Sequence, residues 1–405
     1  MIDITYTLTK LIEVGPIFLG GLILSLVLTP IVGHAARYLR ALDIPVGERR
    51  RRRNEGEQDE QYASATPRLG GLAIYISFIL LLFFVGGFTR LTIGIGIGVT
   101  LLSVVGFFDD IHDFSGVTQF LFHLLAAVVI VLAGVKITSV DIFGVALDFS
   151  IWEWTITLLN IPFAIVFPAD LITILWLIII INAMNWVAGI DALEETMAWV
   201  AGLTLMFLAI KFGKEDMLVL TTLFTGATIG FWFFNFPPAR IYGGTIANTL
   251  LGYLLAIFAI EIDGKFTTAI LLLALPVVDF LWVLVGRVVK YREFNPVKLM
   301  SISGHHHFHH RLMEYGYSAK QTLLVEVTIF SLFAVAAYYF AGFNIVAVAV
   351  VASFGILFLL FTILTAQSKK RSIRRQILIE KELEEKEKNP EPPEPQKPPE
   401  SVYAY

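Results

Sequence analysis

The sequence predicts an all-α polytopic membrane protein of about ten to eleven transmembrane helices, with a small hairpin outside the membrane and a disordered tail inside it. Three observations carry this. Hydrophobic residues fill 56% of 405 positions and charged ones only 16%, a balance soluble domains do not usually reach. The apolar residues gather in runs of about 18–22, long enough as helices to cross a ~30 Å hydrocarbon core. Basic side chains crowd alternate loops and leave the others nearly bare, as expected when cytoplasmic loops hold the Lys and Arg.

Eleven spans are expected, centred near residues 26, 79, 98, 127, 178, 203, 226, 256, 275, 332 and 355. The first apolar run, GPIFLGGLILSLVLTPIVGHA, is too long for a signal-peptide core. The loop after it holds Arg37, Arg40, Arg49–Arg53 and Arg68, and the loop after span 9 holds Arg287, Lys290, Arg292, Lys298, Arg311 and Lys320. The tail begins SKKRSIRR, whereas the alternate loops carry only Arg90, Lys136, Lys211 with Lys214, and Lys265. The N-terminus is therefore expected outside and the tail inside. Residues 135–169 alternate and are rich in β-branched side chains, which predicts a surface hairpin. Two regions follow: a membrane domain over 1–366, and a charged helix with a Pro-rich disordered end over 367–405. Cysteine is absent, excluding disulfides, thiolate zinc sites and cysteine nucleophiles. The net charge of −4 says little, and no nucleic-acid partner is expected.

Five polar stretches fall on the expected cytoplasmic side: ATPRLGG, FFDDIHDFSG, NAMNWVAGIDALEE, FNFPPARIYGG and SISGHHHFHHRL. Ionisable groups at span ends are costly in lipid and usually line a site. Asp109, Asp110 and Asp113 are spaced so that Asp109 and Asp113 share a helix face. Such carboxylates repel unless a cation or proton sits among them, and Mg²⁺ bridging to a diphosphate would satisfy both sides. The alternative is a hydrated span end. Asn182, Asn185 and Gly189 follow helical spacing, continued by Asp191, Glu194 and Glu195; amides there either join helices or face a ligand. Arg68 with Gly70 and Gly71 suggests a backbone approaching a phosphate, with Arg68 as donor. Asn235 and Arg240 flank a Pro-Pro turn followed by two glycines. Five of eight histidines fall within six positions; beside Arg311 and Lys298 they suit anionic oxygens better than a metal.

These motifs, in this order, resemble the polyprenyl-phosphate N-acetylhexosamine-1-phosphate transferases, over about residues 15–366. LDIP and TPRLGG look like that family's first cytoplasmic loop, and GFFDDIHDFSG like its paired-aspartate motif. NAMNWVAGIDALEE resembles N-x-x-N-x-x-[DA]-G-x-[DN]-G, with Ala188 matching the archaeal and eukaryotic branch. PPARIYGGTIANTLLGY looks like the fourth motif, and HHHFHHRL like the histidine loop of the bacterial GlcNAc-1-phosphate transferases. The resemblance implies transfer of a sugar-1-phosphate, GlcNAc-1-phosphate first, from a UDP-sugar to an undecaprenyl or dolichyl phosphate. The products are polyprenyl-diphospho-sugar and UMP. It implies Mg²⁺ with Mn²⁺ as the alternative, a homodimer, and a multi-pass cell-membrane location with the site facing the cytoplasm.

Residue by residue, the resemblance makes Asp109, Asp110 and Asp191 catalytic. It makes Asn185 and Asp191 metal ligands, and Arg68, Asn182, Asn235, His307, His309, His310 and Arg311 substrate-binding. Departures are also legible. Thr245 stands where the family has a metal-ligating Asp, with no acid nearby in the sequence to replace it; Ala247 and Ala192 stand for Gly; and Val117-Thr118-Gln119 lacks an expected lysine. Two other readings stay open: a weakly active or non-catalytic lipid-binding scaffold, suggested by Thr245, and an intramembrane prenyltransferase, suggested by DDIHD as D-D-x-x-D.

Overall fold

A computed structural model describes residues 4–43, 65–142, 145–158, 160–263, 266–295, 298–299 and 307–388. Thirteen helices are described, and they follow the hydropathy pattern. In chain order they are α1 (Ile4–Tyr38), α2 (Gly71–Gly86), α3 (Arg90–His112), α4 (Gly116–Leu132), α5 (Ala169–Val187), α6 (Leu193–Phe212) and α7 (Glu215–Asn235). Then come α8 (Gly244–Asp263), α9 (Phe266–Leu272), α10 (Ala274–Tyr291), α11 (Phe308–Tyr315), α12 (Ala319–Phe340) and α13 (Val346–Lys388). Eight of the described helices are long and apolar enough to cross a membrane, and α2 and α4 are shorter apolar helices. All eleven expected spans have a helical counterpart. The one centred near 275 is not straight, because α9 and α10 meet at 76°. The chain is an all-α multi-pass membrane protein.

Local chemistry sets the helix starts. Thr89 with Thr92 and Ser318 with Gln321 form capping boxes at α3 and α12, which satisfy amides that no carbonyl of their own helix can reach. α6, α7 and α8 form the centre, where side chains such as Tyr253, Phe258 and Phe224 are wholly buried. α1, α12 and α13 stand outside, each with under a third of its apolar window buried, as lipid-facing helices should be. α1 lies along α7 at a distance only small residues allow. A Cβ at Gly226 would sit 2.3 Å from the Phe18 carbonyl oxygen.

The expected hairpin region holds two antiparallel pairs: β3 (Ser139–Ile142) with β4 (Val145–Asp148), and β5 (Ser150–Leu158) with β6 (Ile161–Pro168), after the short β1 (Leu42–Asp43) and β2 (Thr66–Pro67) pair. Trp152 stacks on Phe167 across β5 and β6. The second hairpin is pinned to α5 by Asp170, which takes the Lys136 ammonium and, at 3.0 Å, the Val166 N–H. α13 runs through residue 366 without a break, so the charged segment continues the last span. The Pro-rich end, Arg49–Arg53, His305 and His306 lie outside the described residues.

Candidate active site

At one end of the bundle, helix ends from five segments meet around a cavity of about 250 Å³. Its wall includes Arg68, Gly189, Asp191, Glu194, Glu195, Asn235, Gly244 and Asn248. Three of the expected residues, Arg68, Asp191 and Asn235, therefore line one space.

The aspartate pair sits at the end of α3, directly behind the start of α8. Asp109 Oδ1 accepts from the Phe114 N–H at 2.8 Å and the Gln119 amide at 2.9 Å. Its Oδ2 accepts from the Thr245 hydroxyl at 2.5 Å. Asp110 Oδ1 takes the Thr245 N–H at 3.0 Å and lies 3.4 Å from Arg68 Nη2. Its Oδ2 is buried without a partner. It fills the space Gly244 leaves open: a Cβ there would lie 2.2 Å from it, at a φ of +70°, so Gly244 is required twice over. Thr245 is thus a double donor to the pair, and Gln119 donates where a lysine was expected.

Three expectations need correction here. Asp109 and Asp113 do not share a free face. Asp113 ends α3 at φ 52° with its side chain 81% exposed, while Asp109 turns inward to Thr245. Gly70 and Gly71 do not offer their amides to a phosphate. Those N–H groups donate to the Tyr242 and Gly243 carbonyls at 2.8 Å each, and Tyr242 N–H donates to Pro67 at 2.9 Å. An amide already paired to a backbone carbonyl has nothing left for a ligand. Nor is the Thr245 motif without acids. Distant in sequence but adjacent in space, Glu195 Oε1 comes within 3.0 Å of where a Gly243 Cβ would be.

The turn before α6 is held from both sides. Asp191 Oδ2 accepts from the Ala239 N–H at 2.9 Å. Asn235 spans the gap, accepting from Ala192 N–H at 2.6 Å and donating to the Ile241 carbonyl at 2.9 Å. That grip holds Ala192 at φ 62°, a left-handed conformation costing a non-glycine residue roughly 1–2 kcal/mol. Beyond the turn, Glu194 and Glu195 are 1% and 4% exposed. Asn248 lies 3.0 Å from Asn185. In the amide orientation its neighbours demand, it donates to Glu194 Oε2 at 2.7 Å and the Gly244 carbonyl at 2.8 Å. Glu194 Oε1 is buried with no partner. Asn182 stands apart from the cavity wall; its amide donates to Ile178 in its own helix at 2.7 Å.

The histidine loop closes over the same turn. His309 is 1% exposed and packs on Gly189, where a Cβ would sit 2.0 Å from its Nε2. Burial, then the nearby His310 and His307, push its imidazole down to about 3, so it is neutral there and its Nε2 has no partner. His307 and His309 stack with ring centres 5.6 Å apart, and His310 lies 4.3 Å from His309. Arg311 lies over Trp282 at 5.8 Å; burial lowers its guanidinium while Asp279 and Glu314 oppose that. Sequence reading missed Asp279, which accepts from the Phe308 N–H at 2.9 Å and lies 2.8 Å from His307 Nδ1.

Among the described residues no three Asp, Glu or His side chains are gathered as a ready chelate. Among the acids of this site, Asp110 Oδ2 and Glu194 Oε1 are buried without a partner. That donor set suits a hard cation held by one or two carboxylates plus substrate phosphate and water.

The chain is similar to known proteins over this region. Residues 92–263 match the profile of glycosyl transferase family 4, a segment that holds Asp109, Asp110, Asp191, Asn235 and Thr245. A Bacillus subtilis (strain 168) protein, named a probable undecaprenyl-phosphate N-acetylglucosaminyl 1-phosphate transferase, is 28% identical over 336 residues, covering 81% of this chain and 85% of that protein. A Mycobacterium leprae (strain TN) decaprenyl-phosphate N-acetylglucosaminephosphotransferase is 24% identical, covering 77% and 80%. A Lacticaseibacillus paracasei phospho-N-acetylmuramoyl-pentapeptide-transferase is 27% identical, covering 53% and 67%. Most of the cavity's acids, Asp191, Glu194 and Glu195, thus lie in the segment, residues 92–263, that is similar to glycosyl transferase family 4.

Proposed function

We propose that the protein transfers GlcNAc-1-phosphate from UDP-GlcNAc to a polyprenyl phosphate, with the cavity facing the cytoplasm. A lipid-phosphate oxygen attacks the β-phosphorus of the nucleotide sugar. The bond from that phosphorus to the bridging oxygen breaks, and UMP leaves. The observation that carries this is that Arg68, the Asp191 turn, Glu194, Glu195 and Asn235 line one cavity at the end of an apolar bundle, with Asp110 packed behind Gly244 of its wall and His309 packed on Gly189. A phosphate on a membrane-embedded chain and a soluble nucleotide can reach such a place together.

Catalysis of this kind rests on positioning and charge neutralisation. Asp191 and Glu194, beside the Asn185–Asn248 amides, would hold Mg²⁺, which supplies charge neutralisation at the diphosphate. Asp110, buried behind Gly244, sets Arg68 toward the cavity. Asp109 is fully occupied by Phe114, Gln119 and Thr245 and fixes the end of α3. Arg68, 24% exposed and held beside Asp110, offers its remaining N–H groups to phosphate oxygens. Asn235 sets the Asp191 turn against the nucleotide, and His307, His309, His310 and Arg311 take the diphosphate or sugar.

UMP release from UDP-GlcNAc, dependent on both polyprenyl phosphate and Mg²⁺, is the expected result with the purified protein. No release with any of several UDP-sugars would overturn the proposal. A second reading, a lipid-binding relative without turnover, is favoured by one observation: Thr245 and Arg68 cap the acid pair from within. It predicts lipid-phosphate binding without UMP release.

A further inference from the structure

We infer that Asp279 is the positioning residue of the histidine loop, fixing His307 for anion contact while anchoring α11. The inference rests on the proposed transferase reading and adds to it a residue outside the matched family segment.

Asp279 lies in α10, shortly after the 76° bend, and is 3% exposed. Its two oxygens do different work. Oδ1 accepts from the Phe308 N–H at 2.9 Å, satisfying an amide at the start of α11 that no carbonyl of that helix can reach. His307, the cap residue, makes no capping bond with its own side chain. Oδ2 lies 2.8 Å from His307 Nδ1. A carboxylate can only accept, so Nδ1–H donates to it; contact with an anionic oxygen then needs a second proton, on Nε2, which becomes the ring's working donor. The ring is also hemmed in sideways: Trp186 meets it edge-on at 5.5 Å, His309 stacks on it, and Arg287 backs Trp186 at 4.3 Å. Arg311 and the buried Glu326 of α12 are the charged groups coupled to Asp279. A cap alone would need one oxygen; the second bond ties the imidazole to the same carboxylate. Carboxylate partners behind histidines that ligate a metal typically carry about 10–100-fold effects, and the same order is expected where the histidine holds an anion instead.

The test is a double-mutant cycle on the full chain, read as kcat/KM for UMP release. Asp279→Asn is expected to lose about 10–100-fold, and adding it to His307→Gln should cost little more, because both act through one ring. Full additivity, or an Asp279→Asn variant equal to wild type, would overturn the inference. If Asp279→Asn does not fold, Asp279→Glu takes its place in the cycle. If the wild type itself releases no UMP, the transferase reading fails, and hydrogen exchange over residues 307–316 decides the inference separately. Faster exchange in the Asp279 variant together with greater His307 reactivity towards diethylpyrocarbonate upholds the clamp; unchanged exchange or reactivity overturns it.

Discussion

Replacing Thr245 with Asp tests whether the acid pair is organised by a hydroxyl rather than by a cation. Thr245 Oγ1 is 2.5 Å from Asp109 Oδ2, and its N–H is 3.0 Å from Asp110 Oδ1. A carboxylate there removes a charge-assisted hydrogen bond worth about 1.5–3 kcal/mol. It also places a third negative charge near two others. At roughly 4 Å and an effective dielectric of about 20, one such pair repels by about 4 kcal/mol. Arg68, 3.4 Å from Asp110, relieves part of this, and the α8 N-terminus returns no more than about 1 kcal/mol. The net penalty is about 5 kcal/mol, unless a divalent cation enters. Binding at 100 times its Kd would return about 2.7 kcal/mol. In thermal melts, T245D should fall well below wild type in EDTA and recover more than wild type does on adding Mg²⁺. T245V should lose only the hydrogen bond and gain no Mg²⁺ response. A T245D variant melting with wild type in EDTA, or equal Mg²⁺ shifts in both, would refute the reasoning.

Gly189→Ala puts a Cβ 2.0 Å from His309 Nε2. Overpacking of about 1–3 kcal/mol follows, and a displaced imidazole should cut kcat/KM by around 10²-fold; an active variant with wild-type melting would contradict this. Asn235→Ala leaves the Ala192 N–H and the Ile241 carbonyl unpaired, a loss of about 2–4 kcal/mol measurable by chemical denaturation. His309 is held at about 3 when folded, against 6.5 ordinarily. Its depressed value contributes stability that is complete above pH 6.5 and lost as pH falls towards 3. His309→Leu should therefore flatten the acid side of a plot of Tm against pH, and parallel slopes in the two proteins would count against it.

The spans were legible because a membrane helix is written in composition over a long window. The break between α9 and α10 was not, since both halves are apolar and differ only in direction. Arg68, Asp191 and Asn235 could be placed at one cavity because span ends in alternate loops must meet on one side. What sequence spacing could not show was which donors the acids already have. The pairing of Thr245 with Asp109 joins positions 136 residues apart, and so does no local pattern. Glu194 and Glu195 continued Asp191 in a strip expected to face a ligand; both line the cavity, but no spacing showed that they would be almost wholly buried. Asp279 did leave a signal: a lone carboxylate in LLLALPVVDFLWVLV is expensive in lipid and marks a buried partner.

The backbone bonds that join Pro67, Gly70 and Gly71 to Tyr242 and Gly243 have a kinetic consequence. Two loops far apart in the chain are stitched into one stiff rim before any ligand arrives, so no segment of that rim has to be ordered during association. The observed rate of nucleotide-sugar capture should climb in proportion to concentration, without the plateau that a slow closing step would impose.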